Sequence, residues 1–150
     1  MCFRPVLLLV TIVFQVLLFS VNSYGDNQEI SVIAANTLSK KGEVLLIDIR
    51  AESEWEQTGV APQAVTLSMH QSGGVSAFES ALTQLLNGDK NKPIALICAG
   101  GVRSAKLQRY LQQRGFSQVL DVVEGMQGGL FTDGWIDHQL PIKTYAKKSY

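Results

Sequence analysis

A short apolar run that ends in a cysteine and two glycines constrains this chain more than any other segment. Residues 93–97 have the length and composition of a buried strand, and Cys98 follows directly. Leu107, Tyr110 and Leu111 then recur at the spacing of one helix face. The segment is therefore predicted to form a strand, a loop and a helix, with Cys98 in the loop.

Cys98 has two interpretations at this position. A free cysteine is often a small buried hydrophobe, so it could simply close the strand. Its neighbours favour a reactive thiol instead. Gly100 and Gly101 allow a tight loop with convergent amides, Arg103 adds a cation, and Ser104 adds a hydroxyl where the helix is expected to begin. Because such surroundings stabilise a thiolate, we favour Cys98 as a nucleophile.

The first residues have the layout of a secretory signal peptide. A basic start at Arg4 precedes an apolar stretch at residues 6–19, and the small residues Ser23 and Gly25 follow it. We therefore expect residues 1–25 to be removed on export, which leaves residues 26–150 as one periplasmic or secreted domain. An uncleaved membrane anchor is the alternative, although the stretch is shorter than the ~20 residues of a spanning helix. After cleavage no stable membrane insertion is expected.

Composition excludes several classes of partner. The chain has 13 basic and 13 acidic residues and no basic stripe, so nucleic acid is not an expected partner. Cys2 would leave with the signal peptide, and the single remaining thiol of Cys98 cannot form an internal disulfide. His70 and His138 stand alone, without the clustered spacing of zinc ligands. No metal and no cofactor are therefore expected.

Beyond residue 26 the chain alternates apolar runs with amphipathic stretches, as parallel α/β domains do. The expected strands are at residues 44–47, 65–67, 93–97 and 119–123. The expected helices are one capped by Ser31, two at residues 52–57 and 75–86, and one after Cys98. Ligands of such sheets bind outside the carboxyl ends of the strands. Residues 48–50, 98–104 and 124–129 follow three of these strands, so they can converge on one pocket.

Arg50 belongs to the first of these segments and has two interpretations. It can bind an anionic substrate at the pocket, or it can form a structural ion pair with Asp48 or Glu54. Both interpretations stay open at the level of sequence.

Four segments, in this order, resemble the small single-domain sulfurtransferases of the rhodanese family. Residues 98–104 look like the family's active loop, which has a cysteine, four residues, an arginine and a small hydroxyl residue. Residues 46–50 resemble its early strand end. The other matching residues are Glu54, Trp55, Gly59 and Ala64, followed by Gly128, Gly129, Trp135, Leu140 and Pro141. The resemblance implies a three-layer α/β fold with a central, mainly parallel sheet of about five strands between helices.

The resemblance also implies a mechanism in which Cys98 takes a sulfane sulfur as a persulfide and passes it to an acceptor. The implied donor is a small sulfur compound such as thiosulfate or a polysulfide, and the acceptor is a thiol, cyanide or a protein. Arg103 would orient an anionic donor or fasten the loop. The residues expected to contact the substrate are Ala99, Gly100, Gly101, Val102, Arg103, Ser104 and Arg50.

Two departures from the family pattern bear on this implication. Thiosulfate-using members often have a basic residue after the cysteine, where this chain has Ala99. A small insertion is expected at residues 131–134.

Two other functions stay open. One is a sulfur carrier or partner-binding module without turnover, which would keep Cys98. The other is a cysteine-based phosphatase or arsenate reductase. Phosphatases of this kind need five residues between cysteine and arginine, and this chain has four.

Overall fold

The computed structural model describes residues 28–147. They form five strands, β1 (Glu29–Ile30), β2 (Leu45–Asp48), β3 (Val65–Thr66), β4 (Ile94–Ile97) and β5 (Val119–Val122). The helices are α1 (Val32–Lys40), α2 (Glu52–Thr58), α3 (Gly74–Leu85) and α4 (Val102–Gln113). The expected signal peptide at residues 1–25 lies outside the described residues. Within the described part of the chain, no helix is both long and apolar enough to cross a bilayer.

The sheet places β4 at its centre, in the order β1-β5-β4-β2-β3, and every pair of neighbouring strands is parallel. All four residues of β4 are buried, as expected for a strand covered on both faces. Because parallel strands end at the same edge, the loops after β2, β4 and β5 all emerge together. Cys98, directly after β4, lies at the middle of that edge.

Alternate residues of the strands pack into two separate cores. Leu96 and Cys98 belong to the core beneath α3 and α4, with Phe78 and Leu107 among its members. Ala95 and Ile97 face the opposite core, which contains Val32 of α1 and the buried Trp135. The helices therefore cover both faces, and the predicted three-layer α/β fold is confirmed.

The predicted elements match the structure with two differences. Strand β1 was not predicted, because two residues show no periodicity and this strand exists only by pairing with β5. Helix α4 begins at Val102, two residues before the predicted start at Ser104. Arg103 and Ser104 therefore lie in the first turn of the helix, close to its N-terminal amides.

Candidate active site

The loop between β4 and α4 is shaped by glycines that permit close backbone contacts. Gly101 caps α4 in the left-handed region, with φ of 81°, and a Cβ there would collide with the carbonyl of Val123. Gly125 has φ of 67°, and a Cβ there would lie 2.7 Å from the Cys98 carbonyl oxygen. Side chains at either glycine would push the loops after β4 and β5 apart.

Backbone hydrogen bonds join these two loops. The amides of Met126 and Gln127 donate to the carbonyls of Cys98 and Ala99, both at 2.8 Å. The structure thus brings residues 98–104 and 124–129 together, as the sequence predicted. The carbonyls of Cys98 and Ala99 are therefore turned toward the loop after β5.

Cys98 is only 1% exposed, and its sulfur is in contact with a buried hydroxyl. The Ser104 Oγ lies 3.3 Å from the Cys98 Sγ and donates to the Gly101 carbonyl at 2.9 Å. Ser104 is itself fully buried, so the sulfur and the hydroxyl are in contact in the interior of the protein. Electrostatic interactions are stronger there than in water.

Arg103 is held beside the cysteine loop by Glu54 of α2. Its Nη1 and Nη2 donate to the two carboxylate oxygens of Glu54, at 2.8 and 2.6 Å. Its Nη1 also lies 3.0 Å from the Nε2 of His70, which accepts this hydrogen bond because a guanidinium has only donors. Glu54 is fixed in turn by the amide of Ala51, at 3.0 Å. Arg103 therefore fastens the loop to α2, which is one of the two roles that the resemblance implied for it.

Arg103 and Glu54 each stabilise the charged form of the other. The hydrogen bonds from Arg103 lower the pKa of Glu54 to about 2, with a smaller contribution from the Ala51 amide and an opposing effect of burial. The hydrogen bond to Glu54 raises the pKa of Arg103, and the nearby Cys98 sulfur adds to this effect electrostatically. Arg103 thus stays cationic while it is bound to Glu54.

The N-terminus of α4 supplies the remaining polar groups around the sulfur. The first N–H groups of a helix have no partner within it, and Gly101 offers no capping side chain. The amides of Val102, Arg103 and Ser104 are therefore available to an anion at the cysteine. Gly100 is exposed, Ala99 is half-buried, and the Val102 side chain points to solvent at 65% exposure. Val102 can thus contribute its amide, whereas its side chain is directed outward.

Arg50 is not among the residues that surround the Cys98 sulfur. It is fully buried, and its Nε and Nη2 donate to Asp48, with a shortest distance of 2.7 Å. Its other hydrogen bonds go to Thr58 Oγ1 and to the carbonyls of Glu54 and Gly59. All five N–H groups of a guanidinium are then in use, so none is left for a substrate. The substrate-binding role predicted for Arg50 is corrected here, because the geometry is that of a structural ion pair.

Two residues near the site were not predicted to act there. The pairing of Glu54 with Arg103 joins residues 49 positions apart, and no local pattern in the sequence specifies it. His70 was considered only as a zinc ligand, a role that its isolated position in the sequence did not favour. It is exposed, but it also contacts Arg103. Among residues 28–147, no three His, Cys, Asp or Glu side chains are grouped to hold a metal ion.

Comparison with known proteins shows to which family this chain belongs. Residues 32–130 match the family model of the rhodanese-like domain. The chain belongs to the rhodanese family. A sulfurtransferase of Allochromatium vinosum is 31% identical to this rhodanese over 117 residues, which cover 78% of this chain and 91% of that protein.

Other relatives agree with this assignment. The thiosulfate sulfurtransferase GlpE of Coxiella burnetii is 27% identical over 67% of this rhodanese and 84% of its own length. The polysulfide-sulfur transferase of Wolinella succinogenes has the same fold, with a TM-score of 0.58 and 24% identity over 77% of both chains. At the level of reaction class, the rhodanese-like domain and these relatives support a sulfurtransferase, which implies a sulfur donor and a sulfur acceptor.

Proposed function

We propose that this protein transfers a sulfane sulfur from a small donor to a thiophilic acceptor through a persulfide on Cys98. One observation carries the proposal. The buried Cys98 sulfur lies 3.3 Å from the hydroxyl of Ser104 in the first turn of α4, and the neighbouring Arg103 is a cation held by Glu54. Positive charge and N–H donors converge on a single nucleophile there, which is the surrounding that a thiolate and a persulfide anion require.

The reaction takes place in two steps at one atom. In the first step the Cys98 thiolate attacks the outer sulfur of the donor, and the bond between that sulfur and the rest of the donor breaks. The donor fragment leaves with the electron pair, as sulfite when the donor is thiosulfate. In the second step a thiolate or cyanide attacks the outer sulfur of the persulfide, and Cys98 leaves as the thiolate.

Burial of Cys98 limits what can enter the first step. Only the narrow end of a donor can reach a residue that is 1% exposed. The persulfide adds a sulfur about 2 Å beyond the first one. The acceptor, which can be a small thiol or a protein, therefore meets a sulfur closer to the surface than the cysteine itself. Thiosulfate and polysulfides are the proposed donors, and Ala99 weakens the case for thiosulfate because it adds no positive charge for this dianion.

The loop also bears on the alternative functions. It has four residues between Cys98 and Arg103, and both Nη groups of Arg103 are bonded to Glu54. A phosphatase would need the guanidinium for a tetrahedral anion, so sulfur transfer is the better match. A carrier without turnover would keep the same loop, and only kinetics separates it from an enzyme.

We propose that the protein is located outside the cytoplasm. It is supported by the basic start, apolar stretch and small-residue exit of residues 1–25. The mass of the protein recovered from its natural host tests this proposal. Loss of about 25 residues supports export with cleavage, and recovery of a chain that keeps residues 1–25 in the soluble cytoplasmic fraction contradicts export.

Intact-mass measurement tests the chemistry. The protein is exposed first to thiosulfate and then, in a separate sample, to a polysulfide, and each product is treated with cyanide. A gain of one sulfur that cyanide removes as thiocyanate supports the persulfide route, and Cys98→Ser is the matched control. Repeated turnover supports the enzyme, and a single discharge supports the carrier. Absence of sulfur gain with every donor would contradict both.

A further inference from the structure

Two large apolar side chains are held in solvent close to the cysteine loop. Leu130 is 94% exposed and Phe131 is 98% exposed, the highest values among the large apolar residues that the structure describes. A single exposed apolar residue is common on protein surfaces, but two adjacent ones that are almost fully exposed are not. Neither side chain contributes to the packing of this domain, so their apolar surface is available to another molecule.

The two side chains lie at the tip of a tight turn, residues 129–132, which we call the apolar turn. The amide of Gly129 donates to the carbonyl of Thr132 at 2.9 Å, and these two residues form an antiparallel bridge. Gly128, directly before the turn, has φ of 72°, and a Cβ there would collide with the Thr132 carbonyl oxygen. The apolar turn overlaps with the insertion expected from the sequence, and the match to the family model ends within it, at residue 130.

Backbone contacts join the base of the apolar turn to the cysteine loop. The Gln127 amide donates to the Ala99 carbonyl at 2.8 Å. A Cβ at Gly100 would lie 2.9 Å from the Gly128 carbonyl oxygen, so the two backbones are in close contact there as well. The apolar turn therefore begins beside the two residues that follow Cys98, at the edge of the site where an acceptor has to approach.

The size and the charge of the apolar turn indicate what kind of molecule fits it. A phenylalanine buries about 150–250 Å² in a contact, so even together with Leu130 the turn falls short of the ~800 Å² per partner of a stable dimer. Asp133 follows the turn and is exposed. Its negative charge opposes contact with anionic lipid and favours a basic group on the partner. A transient protein partner with an apolar surface and a basic residue therefore fits better than a second copy of this chain or a membrane.

We propose that the apolar turn is the docking element for a protein sulfur acceptor, whose reacting cysteine lies next to an apolar surface and a basic residue. This proposal rests on the proposed function for the persulfide and names the class of its acceptor. The acceptor thiolate attacks the outer sulfur of the Cys98 persulfide, the bond between the two sulfurs breaks, and Cys98 leaves with the electron pair as a thiolate. The acceptor cysteine becomes the persulfide. Docking holds the attacking thiolate beside the cysteine loop, which raises its effective concentration there.

Discharge of the persulfide by two matched peptides tests the docking role. Both are capped pentapeptides with a central cysteine, one with leucine and arginine neighbours and the other with serine and glutamate neighbours. The double variant Leu130→Ser, Phe131→Ser is compared with the parent for each peptide and for cyanide. Ile142→Ser, at a 40% exposed apolar residue beside Gly59, is the matched control.

We expect the double variant to react about tenfold more slowly with the leucine–arginine peptide, mainly through a higher KM, because an apolar contact is lost. Cyanide and the serine–glutamate peptide should react at the parent's rates, and the Ile142→Ser control should equal the parent throughout. Equal rates of the parent and the double variant with the leucine–arginine peptide would overturn the proposal. The same slowing with cyanide would overturn it too, because cyanide is too small to need a docking surface.

Binding without sulfur transfer separates this proposal from the proposed function. The leucine–arginine peptide with serine in place of its cysteine is titrated into nitrogen-15-labelled protein, and the amide signals of residues 128–132 are expected to shift. Absence of these shifts would overturn the docking role even if Cys98 transfers sulfur. Shifts at these residues in a protein that forms no persulfide would support the docking surface and contradict the proposed function.

Two further results would assign the apolar turn to another occupant and so overturn the proposal. The first is a dimer in analytical ultracentrifugation that the double variant Leu130→Ser, Phe131→Ser dissociates, which would indicate a second copy of this chain. The second is binding of the parent, but not of the double variant, to phosphatidylcholine vesicles, which would indicate a membrane. We expect the parent and the double variant to behave alike in both measurements.

Discussion

Arg50 and Arg103 follow neighbouring parallel strands of one sheet, yet they have opposite roles. Arg50, after β2, is fully buried and gives all its N–H groups to Asp48 and to the backbone and hydroxyl groups of α2 and its end. Arg103, after β4, has a side chain 28% exposed and is held by Glu54 beside the loop that carries Cys98. An arginine at the carboxyl edge of a parallel sheet can therefore interact with a reacting group only if some of its own N–H groups are not already bonded to the protein.

Removal of the nucleophile is the strongest test that the chemistry belongs to the loop after β4. We expect Cys98→Ser to lose sulfur transfer completely, because a hydroxyl is far less acidic than a thiol and cannot carry a persulfide. The residues are close in size, so the thermal unfolding temperature should stay near that of the parent. Thiocyanate formation from cyanide and a donor measures the activity. Substantial activity in the variant would move the chemistry away from this loop.

Removal of the Arg50 side chain is the sharpest test of its structural role. Arg50→Met leaves the buried Asp48 carboxylate without its partner, which should reduce the free energy of unfolding by about 3–5 kcal/mol. Denaturant unfolding measures this loss. The double variant Arg50→Met with Asp48→Leu removes both charges and should recover much of the stability. If Arg50→Met is as stable as the parent but inactive, the substrate-binding interpretation returns.

Substitution of Arg103 should lower the activity strongly and the stability only slightly, the reverse of what we expect at Arg50. Arg103→Gln removes a positive charge next to the reacting sulfur, and we expect kcat/KM to fall on the order of 10²-fold. Stability should change far less than in Arg50→Met, because the pair is partly exposed. Arg103→Lys keeps the charge without the bidentate contact to Glu54, so an intermediate rate separates charge from positioning. Equal rates for all three proteins would remove Arg103 from the site.

A new cation beside Cys98 should improve use of thiosulfate. Ala99 is half-buried next to the nucleophile, and Ala99→Lys or Ala99→Arg would add one contact to a dianionic donor. A gain of about 1–2 kcal/mol corresponds to a tenfold rise in kcat/KM, mainly through a lower KM. The assay should use low salt, where screening is weakest. If the parent already uses thiosulfate efficiently and neither variant exceeds it, another part of the loop sets donor preference.

The smallest expected effect is a dependence of stability on pH at the Arg103–Glu54 pair. The pKa of Glu54 falls from 4.5 to about 2 in the folded protein. Its contribution to stability is therefore complete above pH 4.5 and is lost as the pH falls toward 2. Glu54→Gln should be less stable than the parent by about 1 kcal/mol at neutral pH. Unfolding curves of both proteins measured across this range should converge at the acid end, and a constant difference would contradict the role of Glu54.

Local patterns account for most of what the sequence predicted correctly. The apolar run of β4, the glycines after it and the helix periodicity of α4 lie within a few residues of one another, so they placed Cys98 and its loop. Partnerships between distant segments were harder to predict. Nothing near Glu54 specifies Arg103 as its partner. Arg50 illustrates the same limit, since its role depends on which acceptors the end of α2 places around it.

The burial of Cys98 has a consequence for oxidative damage. Thiolates are oxidised in steps to sulfenic, sulfinic and sulfonic acids, and the last two are irreversible in most proteins. Each step adds an oxygen, so each needs room beside the sulfur as well as an oxidant. The Cys98 sulfur is in contact with Ser104, the residue is 1% exposed, and the glycines of the two loops bring the backbones close together, so little of that room is present. The burial that would admit only a slender donor in the proposed reaction is therefore expected to slow the irreversible oxidation of Cys98 as well.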